Sequence, residues 1–365
     1  MPRAPALWRA VVRSVGAVAA LLAGNLLVED ALAQGGAPKT PAITAAHLSL
    51  QTIWQAPQNL DYTAVQLRRF YALPTGPGGM ATVTTVREQL VSDSNGTPSP
   101  AFVLSFLGVE GELPGSPLHL QWDHTYQKHS RPFHESGSFR IRDLAHAQAN
   151  YTLHSFVNVV RAGRSATRMV VYPGHLDKSI WVVDVDVQTS LPLYTAEFDR
   201  QLRILSEVEV VSLTLSAQVP PPPPGPVTMR EYSSFVAATQ EFEDDLGLVE
   251  PDLANLPEYH LRKAIVREDL LNQRKTLQLT YTDGVDEFQL VQEMAPTNPF
   301  AGLPSQNNAP GTGVANPHTI ARYSDHSMRV LLFWADDVSF QVAGRGSLAR
   351  LDEFARNAYG KALTQ

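Results

Sequence analysis

Four histidines recur at five-residue intervals and form the densest group of potential metal ligands in the sequence: His119, His124, His129 and His134. Imidazole and carboxylate groups bind zinc or copper, and Asp123 and Glu135 lie beside these histidines. A spacing of five matches neither one face of a helix nor one face of a strand. Because Pro117, Pro132 and Gly137 favour a loop, we expect exposed loop histidines and assign no metal ligand, with a metal site as the alternative.

A pair of carboxylates, Asp184 and Asp186, lies two residues apart in a run typical of a strand. Side chains two apart on a strand point to the same face, so the pair could serve acid–base chemistry or bind calcium. No third acidic ligand is close in the sequence. We therefore interpret the pair as part of a polar sheet face.

Standard catalytic signatures are absent from the sequence, which contains no GxSxG, GxxxxGK[ST], HExxH or GxGxxG motif. Ser324, Asp325 and His326 supply the residue types of a serine triad, but neighbouring residues of a strand point to opposite faces and cannot form the relay. The sequence therefore predicts no catalytic residue and no cofactor.

Composition narrows the class of protein further. The 365 residues include no cysteine, which excludes disulfides, thiolate metal sites, cysteine nucleophiles and a lipid attached through cysteine. A net charge of −7 disfavours a nucleic-acid surface. The chain is 44% hydrophobic and long enough for two domains, so most of it should fold.

The first residues have the features of an export signal at 1–33. Three arginines precede a short apolar run at 15–27, and Ala31 and Ala33 form a small-x-small cleavage pattern that places the mature start near Gln34. The run is shorter than the roughly 20 residues that a bilayer requires. We therefore expect an exported chain with no transmembrane segment after cleavage.

The clearest boundary in the chain is the proline run at 220–226, which has almost no backbone donors and forms an extended, semi-rigid spacer. We predict a first domain at 34–218, a polyproline linker at 219–227 and a second domain at 228–365. A Pro-, Gly- and Asn-rich stretch at 296–317 is interpreted as an insertion in the second domain.

The first domain has a β pattern after one short helix at 45–55. The predicted strands are 62–73, 81–91, 101–109, 151–160, 166–172, 180–187, 191–198, 202–209 and 208–215. Many sequential strands with few helices indicate a curved antiparallel sheet and not a parallel α/β sheet.

The second domain is predicted to be α+β. Its expected elements are a helix at 229–246, strands at 259–266, 275–282, 287–293, 328–334 and 338–343, and a last helix capped by Ser347. Asp283 and Gly284 should form a hairpin turn, since glycine tolerates positive φ. An apolar stripe on the last helix should pack on the sheet: Leu348, Leu351, Phe354, Ala355, Ala358 and Tyr359.

An antiparallel sheet that curls over a helix can enclose an apolar cavity, which could hold an acyl chain. The aromatic side chains that we predict to line it are Tyr62, Phe70, Phe102, Phe106, Phe156 and Trp181. The alternative is that these side chains only fill a packed core.

Turn motifs in a shared order resemble those of the RseB/MucB-type periplasmic sigma-E regulators, whose N-terminal domain is similar to LolA and LolB. In the first domain the motifs are NYTL at 150–153, AGR at 162–164, VVYP at 170–173 and DVQTSLPL at 186–193. In the second they are LPEY at 256–259, LTYTDG at 279–284 and VAG at 342–344.

This resemblance implies a mainly β protein, with a half-open antiparallel β-barrel around helices, a Pro-rich linker and a smaller α+β C-terminal domain. It also implies a non-enzymatic periplasmic regulator of the envelope stress response. Such proteins bind the periplasmic region of a transmembrane anti-sigma factor and release it when lipid or lipoprotein signals bind. The alternative function is a periplasmic lipoprotein or lipid carrier of the LolA type.

Overall fold

The computed structural model describes most of the chain beyond residue 47. The described residues are 48–72, 82–94, 101–135, 137–175, 178–199, 201–216, 227–242, 247–270, 274–294, 321–325, 328–335, 338–344, 351 and 353–358. The predicted signal at 1–33, the linker at 219–227 except its last residue, the insertion at 296–317 and the cap Ser347 lie outside these ranges.

Eight antiparallel strands form the first sheet, in the order β3-β2-β1-β8-β7-β6-β5-β4. Their bounds are β1 Tyr62–Ala72, β2 Thr82–Asp93, β3 Ala101–Val109, β4 Tyr151–Arg161, β5 Arg164–Pro173, β6 Ile180–Asp186, β7 Pro192–Phe198 and β8 Ile204–Thr214. The edge strands β3 and β4 do not pair with each other, so the sheet is half-open. The predicted strands and the antiparallel arrangement are confirmed, and the two overlapping predictions 202–209 and 208–215 form the single strand β8.

Three helices accompany this sheet: α1 Leu50–Asn59, α2 Pro117–Glu135 and α3 Leu144–Asn150. Helix α1 begins at a capping box between Ser49 and Thr52, five residues later than predicted. Its buried residues recur at helical spacing and face inward: Leu50, Ile53 and Ala56.

Helix α2 corrects the prediction of a loop around His119–His134. Pro132 and Gly137 favour a loop locally, but the helix packs on the first sheet through aromatic contacts. Trp122 stacks on Phe70 with ring centroids 4.6 Å apart, and the buried Tyr126 donates a hydrogen bond to Glu88. Tertiary packing of one face therefore outweighs weak helix propensity.

Seven antiparallel strands form the second sheet, in the order β13-β14-β15-β12-β11-β10-β9. Their bounds are β9 Val227–Tyr232, β10 His260–Asp269, β11 Arg274–Thr282, β12 Glu287–Met294, β13 Ala321–Asp325, β14 Met328–Ala335 and β15 Val338–Gly344. The predicted hairpin at Asp283 and Gly284 is confirmed, because β11 and β12 pair directly across it.

The predicted helix at 229–246 is wrong. Residues Val227–Tyr232 form β9, which pairs with β10, and among the described residues of this range only Phe235–Thr239 are α-helical, as α4. Ser234 caps α4, which separates the two elements. The predicted stripe of the last helix is confirmed where it is described, since Leu351, Phe354, Ala355 and Ala358 are buried against the second sheet.

A buried polar contact joins the two sheets at the turn between β11 and β12. Asp283 in this turn forms an ion pair with Lys178 and accepts a 2.8 Å hydrogen bond from the hydroxyl of Tyr151. Gly284 has φ of +107°, and a Cβ there would lie 2.1 Å from the backbone nitrogen of Ala147 in α3. Only glycine therefore allows this close approach.

Candidate functional site: a cavity between the two sheets

A cavity of about 590 Å³ lies between the first sheet and the elements that cover it. Pocket volumes of about 300–1,000 Å³ are typical of small-molecule sites. On β2 and β8 the lining residues are two apart, as expected for one face of a sheet: Leu90 and Ser92, and Val208 and Val210. The other lining strands contribute Tyr62 and Gln66 on β1, the consecutive residues 101–104 on β3, and Pro192, Leu193 and Thr195 on β7.

The opposite side of the cavity is formed by α1, by the end of α2, by residues 138–142 and by the second sheet. Apolar side chains predominate on α1, where Ile53, Trp54 and Pro57 face the cavity. The second sheet contributes Glu231, Arg262 and Lys263. The cavity is therefore built by both sheets and not by the first sheet alone.

A buried polar network supports the first sheet beside the cavity. Gln66, which lines the cavity, donates a 2.5 Å hydrogen bond to Glu88. Arg68 forms a 2.9 Å ion pair with the same carboxylate and donates a 2.7 Å hydrogen bond to the carbonyl of Gly137. The network connects the sheet to the segment after α2, so it fixes one end of the cavity.

Positive charge is concentrated where residues 138–142 meet the second sheet. Arg140, Arg142, Arg262 and Lys263 all line the cavity there. Arg142 is neutralised by Glu287, 3.2 Å away. Within the part of the chain that the structure describes, no carboxylate lies within ion-pair distance of Arg140. Burial, Arg142 and Arg262 lower the pKa of Arg140, and this outweighs the opposing effects of Tyr62 and Glu135.

His134 lies at the same end of the cavity and is buried against Phe102, with ring centroids 4.0 Å apart. Burial and three nearby arginines, Arg140, Arg68 and Arg142, hold the pKa of His134 well below its usual value. Tyr62 also faces this charge, but burial raises its pKa more than Arg140 lowers it. The imidazole and the phenol are therefore both neutral near pH 7, and the arginines carry the charge.

The six side chains predicted to line the cavity are in four different places. Tyr62 and Phe102 line it. Phe70 and Phe106 do not line it but pack with α2 in a cluster that includes Trp122 and Tyr126, against which Tyr62 and Phe102 also pack. Trp181 is buried in the core between the first sheet and α1. Phe156 is 41% exposed on β4.

Sequence reasoning missed the arginines at 140 and 142. A signal was available, because Phe139, Arg140, Ile141 and Arg142 alternate between apolar and basic side chains, which is typical of an extended segment with one buried face. Sequence reasoning also missed Leu193 and Thr195, which are buried on β7 beneath the cavity.

The histidine series and the aspartate pair have structural surroundings of their own. On α2, His124 is exposed, His119 contacts the ring of Phe106, and His134 is buried, so these three do not form one group. Asp184 and Asp186 are fully buried and ion-paired with arginines, at 2.8 Å from Arg168 and 2.9 Å from Arg164. The polar sheet face predicted for the pair is therefore buried and internally neutralised.

The fold and the cavity together define a mainly β protein with a half-open antiparallel sheet around helices, a smaller α+β part, and a binding site with an apolar wall and a cationic end. Across the residues described, no helix is long and apolar enough to cross a membrane. No hydrogen bond joins His134 to a carboxylate or hydroxyl group of the described lining residues. The arrangement is suited to binding an amphipathic anion.

Comparison with known proteins gives similar structures but no match to a sequence family. No family model and no curated protein matches the sequence. The structure is similar to MucB in the Pseudomonas aeruginosa MucA/MucB complex, with a TM-score of 0.43 and 15% identity over 84% of this chain and 96% of that one. It is also similar to a second MucB structure, with a TM-score of 0.44 and 14% identity over 85% and 94%.

Part of the chain is also similar to a LolA superfamily protein from Nitrosomonas europaea, with a TM-score of 0.18 and 9% identity over 48% of this chain and 96% of that one. These matches include the families that the sequence motifs resemble. At such identities they concern the fold alone.

Proposed function

We propose that this chain is a periplasmic, non-enzymatic regulator that binds an amphipathic anion in the cavity and the periplasmic region of a transmembrane anti-sigma factor elsewhere. The observation that carries the ligand part is the cavity itself. It places an apolar wall and the partly buried Arg140, which has no described carboxylate within ion-pair distance, around one volume. An acyl chain with an anionic head group matches both features, because apolar burial and charge pairing are satisfied by one molecule.

The anti-sigma factor part is supported by the order of turn motifs on both sides of the proline run.

The physical logic of such a regulator is linkage. A ligand that prefers the partner-free conformation weakens partner binding by the ratio of its affinities for the two conformations. Because the second sheet supplies Glu231, Arg262 and Lys263 to the cavity, a bound ligand would contact both sheets and could shift their arrangement.

A lipid or lipoprotein carrier is the second function that the cavity favours. A carrier would bind its lipid on the same apolar wall, but carrying a lipid would not require the residues that the second sheet supplies to the cavity. Partner binding separates the two functions, since a carrier's lipid affinity has no reason to depend on an anti-sigma factor.

The test measures binding of a long-chain fatty acid by fluorescence displacement, with the corresponding fatty alcohol as an uncharged probe. Phe102→Ala should weaken fatty-acid binding because Phe102 lines the cavity. Phe156→Ala is the matched control, since it removes the same side chain from an exposed position on the same sheet. Equal effects of the two variants, or no saturable binding, would contradict the proposed ligand site.

The partner is tested by calorimetric titration with the purified periplasmic region of a transmembrane anti-sigma factor from the same organism, with and without fatty acid. The regulator hypothesis expects binding that fatty acid weakens severalfold. Fatty-acid binding without any partner binding would support the carrier and overturn the regulator.

A further inference from the structure

Three potential metal ligands meet where α3 contacts β10, outside the cavity and outside the histidine series of α2. They are Asp143, His146 and His260, and one donor atom of each lies within 4.8 Å of the others. Asp143 and His146 belong to the start of α3 beside the first sheet, and His260 begins β10 of the second sheet. Within the described part of the chain, one group of three His, Asp or Glu residues could hold a metal ion, and it is this group.

We propose that Asp143, His146 and His260 bind a zinc ion between α3 and β10. Two imidazoles and one carboxylate are ligands that zinc accepts, and three protein ligands with a solvent molecule complete its tetrahedron. The proposal rests on the junction between the sheets and does not depend on what binds in the cavity.

The distances between donor atoms are close to those that zinc requires. Asp143 Oδ1 lies 3.1 Å from His146 Nδ1, and Asp143 Oδ2 lies 3.4 Å from His260 Nε2. Ligands at about 2.0–2.1 Å from a tetrahedral ion are roughly 3.3 Å from one another. Each imidazole nitrogen thus lies at about the required separation from an oxygen of the Asp143 carboxylate, but the two oxygens differ. Zinc binding therefore requires the carboxylate to turn and the two imidazole nitrogens to approach each other.

The imidazole rings have the freedom to make that approach. They stack with centroids 3.6 Å apart, and the side chains of His146 and His260 are 39% and 29% exposed. His260 Nδ1 is buried with no hydrogen-bond partner among the described groups, so turning the ring breaks no hydrogen bond at that atom. Solvent exposure on the remaining side gives an ion a route to the site.

The backbone beneath the ligands is held firmly. Asp143 is the N-cap of α3 and accepts a 2.9 Å hydrogen bond from the amide of His146. The amide of Arg142 donates a 2.7 Å hydrogen bond to the carbonyl of Gly284, which attaches the start of α3 to the second sheet. His260 is held in register opposite Thr282. An ion bound here would therefore connect two elements that are already positioned, and it would strengthen the contact between the sheets.

The test uses the chain purified without a histidine tag, treated with a chelator, and titrated with Zn²⁺ in a calorimeter. We expect one ion per chain and a rise in the unfolding temperature on zinc addition, since binding to the native state stabilises it. His260→Gln and Asp143→Asn should each lower zinc affinity more than the roughly 10–100-fold typical of losing an outer-shell partner. Asparagine retains the N-cap, so Asp143→Asn tests the charge and not the helix.

His124→Gln is the matched control, because it removes an exposed histidine on α2. It should leave zinc affinity unchanged. Cobalt substitution gives a second readout, since tetrahedral coordination should produce intense visible absorption that His260→Gln abolishes. Circular dichroism checks that each variant folds. If one does not, His146→Asn is measured in its place, because His146 is the most exposed of the three ligands.

Three results would overturn the proposal. One is the absence of saturable binding when zinc exceeds protein severalfold. Another is unchanged affinity in both His260→Gln and Asp143→Asn. The third is a loss of affinity in His124→Gln alone, which would assign the ion to α2 instead.

Discussion

Two regions of this molecule differ in how their buried charges are compensated. At the junction of the sheets, Lys178 is 1% exposed and meets Asp283 directly, with Glu258 at 3.7 Å. At the cationic end of the cavity, Arg140 lies beside Arg142 and Arg262 and has no described carboxylate within ion-pair distance.

This difference indicates which charges hold the fold and which are available to a ligand. Removing an ion from water costs several kcal/mol, roughly, unless an opposite charge compensates it. At the junction, carboxylates of the protein compensate the buried charge. At the cationic end of the cavity the compensation is incomplete, and an anionic ligand would supply the missing negative charge.

The largest effect is expected from breaking the junction. Asp283→Asn keeps an oxygen that can accept the turn hydrogen bonds from Val285 and Asp286, but it leaves Lys178 without its main counter-charge. Loss of one partner from a buried pair costs about 3–5 kcal/mol. Urea unfolding should therefore show a lower free energy of unfolding by that amount.

The matched control for the junction is Arg203→Ala, because Arg203 pairs with Asp199 at an exposed position. Surface pairs contribute about 0–1 kcal/mol. If the two variants lost the same stability, the distinction between buried and exposed pairs would not hold here.

Much of the fold follows from the sequence, because alternating apolar residues and turn signals are local. The strands and the hairpin at Asp283 were predictable for this reason. Helix α2 and strand β9 were not. Their local sequences favour a loop and a helix, and the contacts that decide them, Trp122 with Phe70 and β9 with β10, join residues far apart in the chain.

The cavity was less predictable than the sheet around it. Alternation shows which residues share a face, but it does not show whether that face meets a helix or a void. Phe70 therefore packs against Trp122 of α2 outside the cavity, whereas Phe102 packs against His134 of α2 and also lines the cavity, although both were predicted as lining residues from the same kind of pattern. The cationic end also depends on the second sheet, whose approach no local pattern reveals.

Substitution of two arginines of the cavity provides the next test, and the two variants should change the free energy of unfolding in opposite directions. Arg142→Leu removes the nearer of two arginines that pair with the buried Glu287, leaving Arg262 at 3.8 Å, and should lower the free energy of unfolding by about 3 kcal/mol. Arg140→Leu removes a charge that has no described carboxylate within ion-pair distance, and it should raise the free energy of unfolding by about 1 kcal/mol. Urea titrations of both variants, two residues apart in one segment, provide the measurement.

Ligand binding sharpens this comparison, since Arg140→Leu should also weaken fatty-acid binding about tenfold, or about 1.4 kcal/mol. It should leave binding of the fatty alcohol unchanged. A destabilised Arg140→Leu variant would mean that the charge of Arg140 is neutralised within the protein, as the charge of Lys178 is at the junction.

The smallest expected effect concerns pH. His134 is buried beside Arg140, Arg68 and Arg142, and its pKa in the folded protein is well below the usual value of 6.5. As the pH falls below about 6.5, the unfolded chain takes up a proton at this side chain before the folded chain does. The free energy of unfolding should therefore decrease with falling pH, by at most about 1.4 kcal/mol per pH unit for this one group.

His134→Leu should flatten that slope: between pH 6.5 and 5.5 the variant should lose up to about 1 kcal/mol less of its free energy of unfolding than the unmodified chain. His124→Gln, an exposed position on the same helix, should leave the slope unchanged. Urea unfolding at several pH values measures both variants. An unchanged slope in His134→Leu would mean that the arginines of the cavity do not lower the pKa of this imidazole. Solvent would then screen the arginine charges, and their attraction for an anionic ligand would be weak.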